Sequence, residues 1–267
     1  MLARTLAIAR NTIRESLRNR IVYALLASTG LVMLASLMLA WVTPSATAKL
    51  RVMTDFSLSA ITFFGLITSI FLGTNLIYQE IQQRTVYTLL ARPLSRSEFV
   101  FGKFFGLLGV NALCLLAMAT FFAAFFMING GALSVTLAQA FLLIFAELAV
   151  VTGIALLFSV SVHPIEGAVL AFVFTLSGHA TGSLLELGET ILERSKAEGT
   201  AISTSVIDLI TVLYIVLPNF DNFNLRNEAA QGLSVGWDFV ALSSAYGLLY
   251  SGVLVVAASW SFSRRQL

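Results

Sequence analysis

Apolar residues run in six long blocks nearly free of charge, at 21–43, 56–78, 104–128, 136–160, 167–187 and 239–262. About 20 apolar residues in helix cross a hydrocarbon core, so each block predicts a membrane-spanning helix. Lipid offers the backbone no hydrogen-bond partner, and spans of this length satisfy it only as helices, which sets the expected fold class as all-α and polytopic. The blocks fill more than half of the chain, and what remains is too short and scattered for a separate catalytic unit. A single transmembrane domain over 1–267 is therefore expected. Val206 to Leu217 is also apolar apart from Asp208, but too short to span; a re-entrant or outer-face helix ended by Pro218 fits its length.

Outside the spans, residues 1–20 place Leu2, Leu6, Ala9, Ile13 and Leu17 at helical spacing, with Arg4, Arg14 and Arg18 off that stripe. This pattern predicts an amphipathic helix along the membrane surface. A solvated basic lead-in that only fixes orientation is the plainer alternative.

Composition sharpens the class. Of 267 residues, 58% are hydrophobic and 11% charged, with mean hydropathy +0.89, which cannot coat a soluble domain. The net charge of +2 is too small to suggest a nucleic-acid partner. Its distribution says more. With six spans both termini share one side, which then carries Arg4, Arg10, Arg14, Arg18, Arg20, Arg84, Arg92, Arg96, Lys103, Arg264 and Arg265, against Lys49, Arg51, Arg194, Lys196 and Arg226 opposite. Basic residues are retained in the cytoplasm, so both termini are expected there. Ala46-Thr47-Ala48 has the look of a signal-peptidase site, but the apolar run ahead of it is too long for a signal peptide, and the first span is expected to be kept.

The stretch from Tyr78 to Lys103 is the one sizeable loop on the terminal side. Glu80 and Arg84 stand i,i+4 in the favourable order, and Ile81, Thr85, Leu89 and Leu90 can line one side of a short helix. Pro93 ends it, and Ser95-Arg96-Ser97-Glu98 is a capping box that starts a second helix leading into the third span. A compact helix–turn–helix with exposed leucines and four basic residues offers a knob to a cytoplasmic partner; binding lipid headgroups is an equal reading of the same residues.

Further candidates lie inside the spans. Glu147 is an acid near the middle of span four, where such a residue faces a bundle interior or a pathway, or is hydrogen-bonded to a neighbouring helix. Span five is polar, with Thr175, Ser177, His179, Thr181 and Ser183. Its Gly178 and Gly182 form a GxxxG pair that either lets a neighbour approach closely or lines a cavity. Gly102 and Gly106 read as close packing alone. The two histidines, His163 and His179, and the single Cys114 are too few for a metal site, and no HExxH or GxSxG occurs. His163 reads as a loop residue beside Pro164. No catalytic or metal residues are assigned. Beyond span five, Glu186, Glu189 and Glu193 suggest a surface helix, and Pro218 to Asn224, rich in turn formers, a lid or an inert connection.

Glu80, Arg84-Thr85, Leu89-Leu90, Pro93-Leu94-Ser95-Arg96 and Gly102-Lys103, together with the leader RNTIRESLRNR, resemble the type-2 family of ABC transporter permeases. Gln82-Gln83 departs from the acidic or glycine residues usual there. Within the family the chain looks most like short permeases of the copper-processing, nitrous-oxide-reductase-maturation type, although no residue points to copper. The resemblance implies a pore of two permease subunits in a bacterial or archaeal cytoplasmic membrane, a homodimer being the expected form, with two copies of a separate ATP-binding subunit. That subunit would dock on a coupling loop at 79–103, through Glu80, Arg84, Thr85, Leu89, Leu90, Pro93 and Arg96, and on the surface helix at 1–20. The charge-based orientation places 188–236 outside the cytoplasm, and the resemblance implies that spans two and five border the route, which singles out Asn75 and His179. ATP and Mg would belong to the partner. The resemblance further implies that this chain holds no cofactor and is no enzyme, and Gly102-Lys103, which lacks the flanking residues of a phosphate-cradling loop, agrees with that expectation. A membrane scaffold recruiting a cytoplasmic protein, or an ion-coupled carrier using Glu147, are the competing readings.

Overall fold

The computed structural model describes residues 2–43, 45–82, 95–182, 190, 214 and 216–264. Those residues form helices without strands: α1 (Leu2–Leu17), α2 (Arg20–Trp41), α3 (Ala46–Gln82), α4 (Arg96–Ile128), α5 (Val135–Ser161), α6 (Pro164–His179), a 3-10 turn (Phe220–Phe223), α7 (Arg226–Gln231) and α8 (Trp237–Arg264). Five stretches are long and apolar enough to cross a membrane: α2, residues 46–75 of α3, α4, α5 and α8. The fifth predicted span begins as α6, three residues earlier than its apolar block, and residues 183–187 of that block lie outside the described set.

Local chemistry explains where the helices start and stop. Asn19 caps α2 by accepting from the Ile21 amide at 3.0 Å, and Ser134 caps α5 by accepting from Leu137 at 3.2 Å. Pro164 opens α6 at a position where its missing N–H costs nothing. Gly232 ends α7 with φ +69°, a left-handed conformation that favours glycine. The expected capping box is present: Ser95 Oγ accepts from the Glu98 amide at 3.2 Å, and Glu98 Oε2 accepts from the Ser95 amide at 3.0 Å.

Burial ranks the helices. In α5, 72% of the apolar window is buried, against 22% in α2 and 28% in α8. A helix apolar on all sides belongs at the centre, and α5 packs against α3, α4, α6 and α8. The peripheral helices leave large apolar side chains such as Leu31, Met38, Leu116, Leu249 and Val253 exposed, as lipid-facing surfaces do.

The helix α1 departs from the predicted surface stripe. Ala9, Thr12 and Ser16 are buried, while Leu6 is 69% exposed. The packed face shares Ala9 and Ile13 with the predicted stripe but is turned away from Leu6, and it meets α4 rather than lying free. Three glycines of α4 make room. A Cβ at Gly102 would stand 2.8 Å from Ile8, one at Gly106 2.6 Å from Thr12 Cβ, and one at Gly109 2.8 Å from Ile13. Lys103, between them, is 1% exposed with its Nζ 3.6 Å from Glu15 Oε2. It is thus a packed residue, not the free headgroup contact that a loop lysine would be.

Candidate functional site

Two places combine polar groups with an unusual backbone. At the terminal end of the bundle, Arg96 Nη1 donates to the carbonyls of Phe262 and Ser263 at 3.2 and 3.1 Å, satisfying the last turn of α8 with a cation that also complements its dipole. Phe99 stacks on Phe262 with ring centroids 5.8 Å apart. The first turn of α4, the end of α8 and, through the glycine seam, α1 thus form one block immediately after the predicted coupling loop. Within that loop α3 carries Glu80 on its last turns, and Arg84, Thr85, Leu89, Leu90 and Pro93 lie outside the described residues.

The second place lies deep in the bundle. Glu147 is roughly 21 Å back from the end of α5 and His179 roughly 22 Å on from the start of α6 at 1.5 Å per residue, so the antiparallel helices bring them level. His179 Nε2 stands 3.0 Å from Glu147 Oε1, and Nδ1 is 3.1 Å from the Thr175 carbonyl. Against them lies the turn after Pro218. His179 and Phe220 have ring centroids 4.7 Å apart, and the series continues through Phe223 and Tyr246 to Tyr250.

This turn is inserted into the bundle, where its composition suggested a lid or an inert connection. Phe220 and Phe223 are each 1% exposed. Tyr250, roughly 20 Å into α8, donates its hydroxyl to the Val216 carbonyl at 2.8 Å, and Tyr246 Oη accepts from the Asn219 amide at 3.1 Å. Non-helical backbone at membrane depth survives only where protein groups satisfy it, and these tyrosines do so.

Gly178 and Gly182 supply the seat. An added Cβ at Gly178 would stand 2.6 Å from the Phe220 ring and 2.8 Å from the Pro218 carbonyl, and one at Gly182 would collide with Asp221 Oδ2. The GxxxG pair thus receives a turn instead of a helix. Arg226 fixes the far side: its Nη1 donates to Ser59 Oγ of α3 at 3.0 Å and its Nε to Asn224 Oδ1 at 2.9 Å. Thr136 and Gln139 of α5 hold the following segment by donating to the carbonyls of Leu233 and Val235. A cavity of about 270 Å³ remains between these groups, lined by Thr62, Glu147, His179, Asp221, Asn224 and Arg226, with Phe220 and Phe223 in its wall.

Of the residues singled out from sequence, Glu147, His179, Gly178 and Gly182 converge here. Asn75 does not: it lies roughly 20 Å further along α3 than Thr62 and donates Nδ2 to the Phe71 carbonyl of its own helix at 3.0 Å. Sequence reasoning missed Phe220, Asp221 and Arg226 as partners. The available signal was a basic residue, Arg226, just after a turn-rich aromatic stretch on the otherwise acidic side. The other histidine, His163, precedes α6 and lies apart from the cavity, as expected of a turn residue. Among the described residues no group of acids, histidines and cysteine could hold a metal ion.

The described fold is a multi-pass helical membrane protein with a polar cavity between its spans and the turn after Pro218. A family model described as ABC-2 family transporter protein matches residues 6–267. The chain belongs to the ABC-2 transporter family, and as such is a membrane component of an ABC transporter, a type that partners an ABC ATP-binding subunit. Among curated proteins none matches it.

Proposed function

We propose that this chain is the permease subunit of an ABC exporter in a bacterial or archaeal cytoplasmic membrane. Two copies form the pathway, and two separate ATP-binding subunits, which hold ATP and Mg, drive them. Family membership supports the transporter class, and the observation that carries the pathway is the buried Glu147 beside His179 in a polar cavity at mid-bundle. An acid so deep in a span has a high cost unless a pathway or a partner uses it.

The terminal end supplies the lever. Arg96 and Phe99 bind the end of α8, and the glycine seam binds α1 to α4, so a push on the loop around Glu80 to Pro93 moves these three helices together. The basic residues of α1, α4 and the end of α8 collect at this end, in keeping with a cytoplasmic location. Relation to the copper-processing, nitrous-oxide-reductase-maturation permeases rests on sequence likeness alone.

The test is co-expression with a candidate ATP-binding subunit, followed by reconstitution. The tagged permease should retain the ATPase in stoichiometric amount, and Glu80→Lys or Leu89→Asp should abolish its retention or its coupling while membrane insertion persists. Full coupling in both variants, or labelling of the loop from outside intact cells, would overturn the reading. A membrane scaffold would recruit its partner without ATP-dependent flux. An ion-coupled carrier, for which the Glu147–His179 contact would equally serve, would show flux that follows the proton gradient without ATP.

A further inference from the structure

A second cavity of about 250 Å³ adjoins the polar one, between α3 and α6. Its walls are Phe63, Leu66, Ile67, Ile70, Phe172 and Leu176, and Thr62, His179 and Arg226 belong to both cavities. Phe63, Phe172 and Leu176 are 52%, 47% and 60% exposed, so the apolar slot opens at the side of the bundle.

At the closed end stands an unsatisfied acid. Glu147 is 4% exposed, yet its Oε1 accepts no hydrogen bond. The His179 ring edge approaches it to 3.0 Å without directing an N–H along the line to the oxygen. A buried carboxylate oxygen lacking a donor is costly, and the remedy is a donor brought by something else. The charge of the wall points the same way. Among the described residues the polar cavity carries two carboxylates, Glu147 and Asp221, against one guanidinium, Arg226, which directs its Nη1 to Ser59 and its Nε to Asn224. The rings of Phe220 and Phe223 add π faces that attract a cation.

We propose that the two cavities form one binding site for a lipophilic primary ammonium ion. The ammonium donates to Glu147 Oε1 and lies against Phe220 and Phe223, and its hydrocarbon body fills the slot between α3 and α6. A quaternary ammonium would bring charge without a donor. An anionic amphiphile would be repelled by Glu147.

The experiment measures binding to the full chain in phosphatidylcholine nanodiscs, with empty discs subtracted, using 4-phenylbutylammonium, 4-phenylbutanol and 4-phenylbutyrate. The amine is expected to saturate one site per chain about tenfold more tightly than the alcohol, since the hydroxyl can also donate to Glu147 and only the ammonium adds an opposite charge to that bond, a gain of about that factor. The acid should bind more weakly still. Glu147→Gln should bring the amine down to the alcohol's affinity, and Ile67→Trp, which fills the slot, should weaken amine and alcohol alike. Equal affinities of amine and alcohol on the unaltered chain, absence of saturable binding, or an amine affinity unmoved by Glu147→Gln would overturn the proposal. The comparison of probes on the unaltered chain decides even if a variant fails to fold. Binding is read without ATP or flux, so a chain that binds the amine and never exports would defeat the exporter reading and leave this one standing.

Discussion

Two glycine pairs at four-residue spacing lie within predicted spans or at their start, and the two seams behave differently. Gly102, Gly106 and Gly109 of α4 accept a helix, α1, whose Ile8, Thr12 and Ile13 fill the groove. Gly178 and Gly182 of the span-five segment accept a 3-10 turn whose Phe220 ring and Asp221 carboxylate take the place of a helix backbone. The first seam is a dry joint that welds two helices at the terminal end. The second is imperfect packing around aromatic rings, and it leaves polar space at the level of Glu147. Small residues specify only that something can come close; what arrives decides whether the result is a lever or a chamber.

Substitutions can break this contrast, and the largest effect is expected at the dry joint. Gly106→Leu must place a side chain where a first carbon already meets Thr12 Cβ at 2.6 Å and the Ala9 carbonyl at 2.9 Å. Overpacking against backbone of this kind should cost about 3 kcal/mol or more, read as loss of monodisperse protein or a sharply lower thermal midpoint. A midpoint like that of the unaltered chain would mean that α1 is not welded to α4.

Gly178→Ala should cost less, about 1–3 kcal/mol, because the seated turn can withdraw. A double-mutant cycle with Phe220→Ala sharpens the point, since the doubly altered chain should be destabilised by less than the sum of the two single effects. Additivity would separate the glycine from the turn. The smallest effect is expected at Asn111, whose Nδ2 donates to Thr152 Oγ1 at 2.9 Å between α4 and α5. Interhelical hydrogen bonds in membranes average about 0.6 kcal/mol, and Thr152 keeps its bond to the Leu148 carbonyl, so Asn111→Ala should shift the midpoint only slightly. A large shift there would make this buried pair, rather than the glycine seam, the principal joint of α4.

Legibility from sequence follows from how local each feature is. The spans of α2, α4, α5 and α8 were legible because a run of apolar residues needs no partner to define it. The capping box at Ser95 to Glu98 was legible because its two hydrogen bonds close within four residues. The buried face of α1 was not, because Thr12 and Ser16 look polar until α4 covers them. The site was half legible: Glu147, His179, Gly178 and Gly182 stood out as unusual for a membrane interior, whereas Phe220, Asp221 and Arg226 looked ordinary for a connecting segment.

By itself the sequence determined that this is a helical membrane protein, roughly where its spans begin and end, and which residues inside them are too polar or too small for lipid contact. Each of those follows from the transfer of single side chains and backbone groups out of water, which depends on residue type and neighbours a few positions away. Tertiary structure alone decided that the turn after Pro218 enters the bundle, that one glycine pair seats a ring and the other a helix, and that Arg226 reaches Ser59. Those contacts join residues far apart in the chain, and their free energy exists only once packing has excluded both water and lipid from the space between them.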